Sequence, residues 1–303
     1  MQPWILTASR SWNQWAQMPI NYPSVLNLRT NDVPYSWSAR EVMLYALGVG
    51  MGSDPLNEEE LQFVNEASAT PRPLKVIPTF ASVCVWGARP GIIDLNRVMV
   101  VDGERDITFH QPMPISANVM ADARVRGIYD KGKEKGAIIQ NEVVVRDGDG
   151  NKIVTIVSST FARGDGGFGG PSEGMPEPHQ VPRRAPDKSL DIPTRPDQAL
   201  IYRLSGDQNP LHSDPEFARR AGFPRPILHG MCTYGLTCRA VLQSYADYDP
   251  SAFRRHRARF SAPVFPGEIV TVNLWREGNS ISFEAYVRER GLTVVKNGQT
   301  LLR

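Results

Sequence analysis

The sequence predicts an α+β protein of two related halves, each an antiparallel sheet wrapped around a central helix. Three observations carry this. The first is an internal echo. Lys75 to Phe80 leads into an apolar stretch, as Pro226 to Met231 does, and Pro112-Met113-Pro114 leads into an alternating run, as Pro263 to Pro266 does. Both comparisons share an offset of about 151 residues, the mark of a tandem duplication. The second is Gly230 to Ala246, a stretch of helical length that is apolar around much of its circumference and so has little exposed surface. The third is the cluster of strand patterns late in each half. Together they describe a double hot dog.

The elements follow in order. Ser38-Ala39-Arg40-Glu41 is a capping box opening a helix that runs to about Gly50. Ile153 to Arg163, Ile269 to Trp275, Ile281 to Val287 and Leu292 to Val295 have strand character. Arg146 to Asn151 and Glu277-Gly278-Asn279 are hairpin turn signals. From Gly164 to Asp197 the chain is dense in Gly and Pro, which neither helix nor central strand tolerates. Three units result: 1–163, a linker 164–197, and 198–303. The GDGGFGG run in the linker lacks the GK[ST] ending of a phosphate loop, so nucleotide binding is not expected.

Composition excludes several classes. The chain has 303 residues, 41% hydrophobic and 22% charged, with a formal charge of +2. The basic residues are scattered, so nucleic acid is not expected as a partner. No run of 18 apolar residues exists, and Met1 to Met18 has no continuous apolar core, so neither a spanning helix nor a signal peptide is expected. Cys84, Cys232 and Cys238 form no CxxC pair and two lie in apolar runs. They read as buried thiols of a reducing, cytoplasmic setting. His110, His179 and His256 read as surface residues. No His, Cys and Asp spacing matches a metal site.

Chemistry concentrates in one stretch, Tyr202-Arg203-Leu204-Ser205-Gly206-Asp207-Gln208-Asn209-Pro210-Leu211-His212, followed by five residues and Ala218. Gly206 and Pro210 bracket a tight loop holding Asp207, Asn209 and His212. A carboxylate and an imidazole together can activate water; Asp and Asn can equally serve as turn residues. Asp214-Pro215 starts a short helix ending before Gly222. Pro226-Ile227-Leu228-His229-Gly230 then leads into the buried helix, whose N-terminus offers unpaired N–H groups to a thioester oxygen that becomes enolate-like. His229 reads as an orienting residue before that helix.

These residues resemble the hydratase 2 family of MaoC-like dehydratases, including the hydratase domains of type 2 peroxisomal multifunctional enzymes. The resemblance runs from about Val33 onward and includes the GGFGG and PILHG segments. It implies an (R)-specific enoyl-CoA hydratase, in which Asp207 and His212 activate a water, Asn209 positions the water or the pair, and the Gly230 N–H receives the oxyanion. It places Gly103, Lys131 and Phe260 along the acyl and CoA path, and implies a homodimer that needs no cofactor beyond the CoA of its acyl-CoA substrate. One departure stands out: relatives often have His-Gly where this chain has Asp102-Gly103, and an acid there would repel a CoA phosphate. The first half keeps Tyr45-Ala46-Leu47-Gly48 but not the Asp-x-Asn-Pro-x-His spacing, and has Pro78-Thr79 where the second has His229-Gly230, so one site per chain is expected. Two other readings remain: a hot dog thioesterase using a carboxylate-activated water, and a non-catalytic acyl-CoA-binding protein.

Overall fold

Alternation of apolar and polar residues builds the strands. In β3 (Ala117–Asp130), Val119, Ala121, Ala123 and Val125 are buried, and the residues between them are partly or fully exposed. The computed structural model describes residues 20–67, 72–96 and 99–303; Met1 to Met18 lie outside them. The first half contributes β1 (Arg29–Trp37), β2 (Val100–Phe109), β3, β4 (Ala137–Arg146) and β5 (Lys152–Ala162). The second contributes β6 (Lys188–Pro193), β7 (Phe253–Phe260), β8 (Ile269–Glu277), β9 (Ser280–Val287) and β10 (Leu292–Leu302). All join one sheet in the order β1-β3-β4-β5-β2-β7-β10-β9-β8-β6. Each half has the same internal order, and the halves meet where β2 pairs antiparallel with β7, Ile107 opposite His256. The repeat legible in the sequence is thus a pseudo-twofold repeat of the fold.

The predicted hairpins close β4–β5, where Asp147 Oδ1 accepts the Asp149 and Asn151 N–H groups, and β8–β9 at Gly278. Helix α1 (Ala39–Gly48) carries the predicted capping box, and Gly50 follows with φ +81°. A one-turn helix, α2 (Glu58–Leu61), comes next. In the second half come α3 (Gln198–Tyr202), α4 (Pro215–Arg220) and α5 (Gly230–Tyr245). Every residue of α5 from Met231 to Leu242 is buried. One of them is charged: Arg239 pairs at 2.7 Å with Glu60, the C-terminal residue but one of α2. Buried charge requires such a partner.

Three expectations need correction. Among its described residues the first half has no central α-helix; Pro78–Ser82 forms only a 3₁₀ turn. Val83 and Val85 are β-branched, Gly87 has φ +89° and Pro90 follows, so the turn cannot propagate. The linker is not structureless throughout. Its last part is β6, an edge strand against β8, where a terminal proline costs no ladder bond. His256 is not on the surface. It is fully buried, with Nδ1 2.7 Å from Thr300 Oγ1, Nε2 3.1 Å from Thr237 Oγ1, and its ring stacked on Phe283. His110 is exposed, and His179 is half-buried against Ser282. The three cysteines are free and buried, and burial pushes the Cys84 and Cys238 thiols up to about 12. Among the described residues no helix is long and apolar enough to cross a membrane.

Candidate active site

The loop 206–212 is shaped by its own backbone bonds. Gly206 has φ +134°, and a Cβ there would lie 2.6 Å from the Trp86 ring of the first half, so only glycine fits. Asp207 Oδ1 accepts the Asn209 N–H at 3.1 Å. Asn209 Oδ1 in turn accepts the Leu211 N–H at 3.0 Å, capping the 3₁₀ turn Pro210–His212. Asp214 caps α4 through the Glu216 and Phe217 N–H groups. Asn209 thus has a turn role, with its side chain exposed, and the loop delivers the His212 ring into the protein.

His212 is buried, and its Nδ1 lies 2.9 Å from the Ile227 carbonyl oxygen. That oxygen can only accept, so Nδ1 carries the proton and Nε2 presents its lone pair. Nε2 stands 3.9 Å from Asp207 Oδ2. The gap is too long for a direct hydrogen bond and suits two groups that reach one water oxygen from the same side. Burial lowers the His212 pKa, while the Ile227 bond and the charges of Asp207 and Asp102 oppose that shift.

His229 backs this pair. Its ring stacks on His212 with centroids 3.7 Å apart and planes 25° apart, and Nε2–H donates to the Asp207 carbonyl at 3.1 Å. Burial, with His212 and Arg203 nearby, pushes it down to about 3, so it stays neutral. It thus holds both members of the pair as an orienting residue. Asp207, His212 and His229 also bring candidate metal-ligand atoms within 4.8 Å of one another. Their geometry argues against one shared ion. A metal lies in the plane of each imidazole it binds, about 2.0–2.1 Å from nitrogen, and two nearly parallel stacked planes do not meet that close.

Gly230 is the first residue of α5, and among the described residues no acceptor takes its N–H. A Cβ at Gly230 would meet the Phe260 ring at an ordinary 3.7 Å, so the glycine leaves approach room above that N–H. Phe260, Gly103 and Lys131 all line one cleft of about 970 Å³. They come from β7, from β2 and from the turn after β3, so the structure brings the three together from separate parts of the sequence. Lys131 Nζ donates to the Ser172 carbonyl, tying the cleft to the linker. Sequence reasoning missed Asp130. Its carboxylate accepts N–H groups from Gly132, Gly167 and Gly169 at 2.7–2.8 Å, so the GGFGG segment folds around a carboxylate of its own chain. Burial raises its carboxyl, but these bonds outweigh that and hold it below the usual range. In the first half, the Gly48 carbonyl accepts from Gln198 Nε2 and from the Cys232 thiol, joining the halves.

Known families match both halves. Residues 35–164 match the MFE-2 hydratase 2 N-terminal domain, and residues 178–297 match the MaoC like domain. Over 293 residues the chain is 41% identical to enoyl-CoA hydratase ChsH3 of Mycobacterium tuberculosis, covering 94% of this chain and 99% of that protein. It is 36% identical over 280 residues to peroxisomal enoyl-CoA hydratase 2 of Arabidopsis thaliana, covering 87% and 90%. The solved structure of a MaoC-like dehydratase from Phytophthora capsici superposes with a TM-score of 0.82 at 31% identity, covering 94% of this chain and 98% of that one. With both halves matched in order and relatives alike along nearly their whole length, the chain belongs to the MaoC-like hydratase 2 family.

Proposed function

We propose that the protein reversibly hydrates a trans-2-enoyl-CoA to a (3R)-3-hydroxyacyl-CoA, a step of the kind used in fatty acid β-oxidation. The observation that carries this is the pairing of Asp207 Oδ2 and the free Nε2 of His212, 3.9 Å apart, ahead of the N-terminus of α5. A water between them gives its hydroxyl to C3 of the alkene while the pair takes a proton and returns one to C2. Both transfers come from one face, so the addition is syn. The thioester oxygen gains negative charge as C3 is attacked, and the Gly230 N–H at the helix N-terminus is suited to receive it. Phe260 and Gly103 line the path of the thioester, and Lys131, in the same cleft, offers a cation to a CoA phosphate. The only coenzyme in this reading is the CoA of the substrate. A homodimer in a cytoplasmic setting belongs to the same reading and fits the free, buried thiols.

Crotonyl-CoA and 2-decenoyl-CoA test it. We expect loss of enoyl absorbance without release of free thiol, and chiral analysis should give the (3R) alcohol. A (3S) product would overturn the stereochemical assignment, and stoichiometric thiol release would make the protein a thioesterase.

A further inference from the structure

The His229 ring makes one hydrogen bond, from Nε2–H to the Asp207 carbonyl at 3.1 Å, and its buried Nδ1 has no partner among the described residues. A single bond leaves an imidazole free to tilt, so packing has to fix the ring. Two rings touch it. His212 stacks at 3.7 Å, and Tyr202 meets it at 4.9 Å with the planes 48° apart. His212 is the ring being supported, which leaves Tyr202 as the support. Tyr202 is itself fully buried and ends α3.

The first half closes on Tyr202. A Cβ at Gly48 would lie 3.2 Å from the Tyr202 Cα and 3.3 Å from its Cδ2, so the glycine lets α1 approach this closely. The Gly48 carbonyl also accepts from Gln198, one turn earlier on α3, at 2.6 Å. Tyr45 lies three residues before Gly48 and so on the same face of α1. Its fully buried ring stands 5.8 Å from Tyr202 and 5.8 Å from Phe80, and Phe80 meets Trp37 edge-on at 5.7 Å. Tyr45 and Tyr202 open the two copies of the echoed segment, so one copy of the aromatic braces the other. We infer that Tyr202 is a positioning residue of the hydration reaction, braced by Tyr45 and Gly48 of the first half against His229, which in turn holds His212 and Asp207 at their working separation. This rests on the hydratase reading above. The half that lacks the catalytic motif thereby takes part in the reaction through a row of buried rings.

The test is Tyr202→Leu in the full chain, assayed with crotonyl-CoA well below its melting temperature. Misplacing reacting groups by 1 Å can cost about 10² in rate. We expect kcat to fall about tenfold with KM changed less than twofold, and Tyr202→Phe, which keeps the ring, to restore most of the loss. Phe63→Leu is the control: an equally buried ring of the first half that meets Tyr248 instead. It should lose melting temperature as core truncations do but leave kcat within twofold. NMR of isotope-labelled histidine supplies a second readout. A ring held in one tautomer keeps its two nitrogen signals far apart. In Tyr202→Leu the His229 signals should move toward each other, and in Phe63→Leu they should stay put. If Tyr202→Leu fails to fold, Gly48→Ala carries the test. Alanine favours the helix over glycine, yet its methyl group crowds Tyr202, so kcat should fall severalfold. Equal kcat losses in Tyr202→Leu and Phe63→Leu, an unchanged kcat in Gly48→Ala, or a raised KM with kcat intact would overturn the inference. Absence of hydration by the unaltered protein would sink the hydratase reading instead, while the His229 signals would still decide whether Tyr202 holds that ring.

Discussion

At the scale of residues, Asp207 and His212 owe their geometry to short-range bonds that survive loss of either side chain's chemistry. The loop is fixed by Gly206, by the Asn209 cap and by the backbone bond from His212 N–H to the Asn209 carbonyl. Asp207→Asn or His212→Ala should therefore lower hydration by about 10² to 10⁴ with little change in melting temperature. The double variant should be about as slow as the worse single one, because two groups sharing one water act as a unit. A loss equal to the product of the two would mean that they work separately. This pair was legible in the sequence because the motif is contiguous and the turn residues that shape it are local. The stack of His229 on His212 was not: it joins residues 17 positions apart, across the whole of α4 and its following loop.

At the scale of elements, β7 shows how a strand can hide its inner face. Phe253-Arg254-Arg255-His256-Arg257-Ala258-Arg259-Phe260 holds four arginines and reads as exposed. Yet His256 and Ala258 point inward and are buried, while the arginines at 255, 257 and 259 stay on the side of Asp106 and Glu104. Burial pushes His256 down to about 3. The unfolded chain takes up that proton near pH 6.5. Protonation therefore favours unfolding, and the stability contributed by the neutral ring is complete above about pH 6.5 and is lost as pH falls toward 3. The slope is roughly 1.4 kcal/mol per pH unit for each such group, and His229 adds a second. Urea midpoints should fall steadily from pH 6.5 to 4.5, and His256→Gln should flatten that fall. Identical slopes in both proteins would show that His256 does not titrate on unfolding. The missing helix of the first half was hidden for a different reason. Its apolar content matches a buried helix, and the β-branched pair, Gly87 and Pro90 argue against one.

At the scale of the whole molecule, the halves are joined by more than the linker. β2 pairs with β7, Trp86 packs on Gly206, and Glu60 neutralises Arg239 in the middle of α5. The second half alone would expose a bare sheet edge and a buried charge without its partner. Residues 165–303 expressed alone should show no cooperative melt and no hydration. In the full chain, Glu60→Ala should cost about 3–5 kcal/mol in urea unfolding, the usual penalty for stranding one member of a buried pair. A folded, active second half would mean that the first half is dispensable. The double architecture was legible from the repeat offset, since equal spacing between two anchors survives divergence of the residues between them. Three cleft residues, Gly103, Lys131 and Phe260, were legible only through the family resemblance, because the cleft's walls come from strands that the sheet order, rather than the chain order, makes neighbours.

The join at β2 and β7 also changes what a single codon can do. In a pair of identical half-length chains, any substitution near the axis appears on both sides of it, so a residue that improves one wall is imposed on the other. Here the two walls are encoded separately. The register shift at Gly103 alters β2 alone, and the loop at Gly206 belongs to the second half alone. One protein can therefore break its own symmetry, keeping a single reaction centre while the opposite wall is free to change shape for a larger cargo.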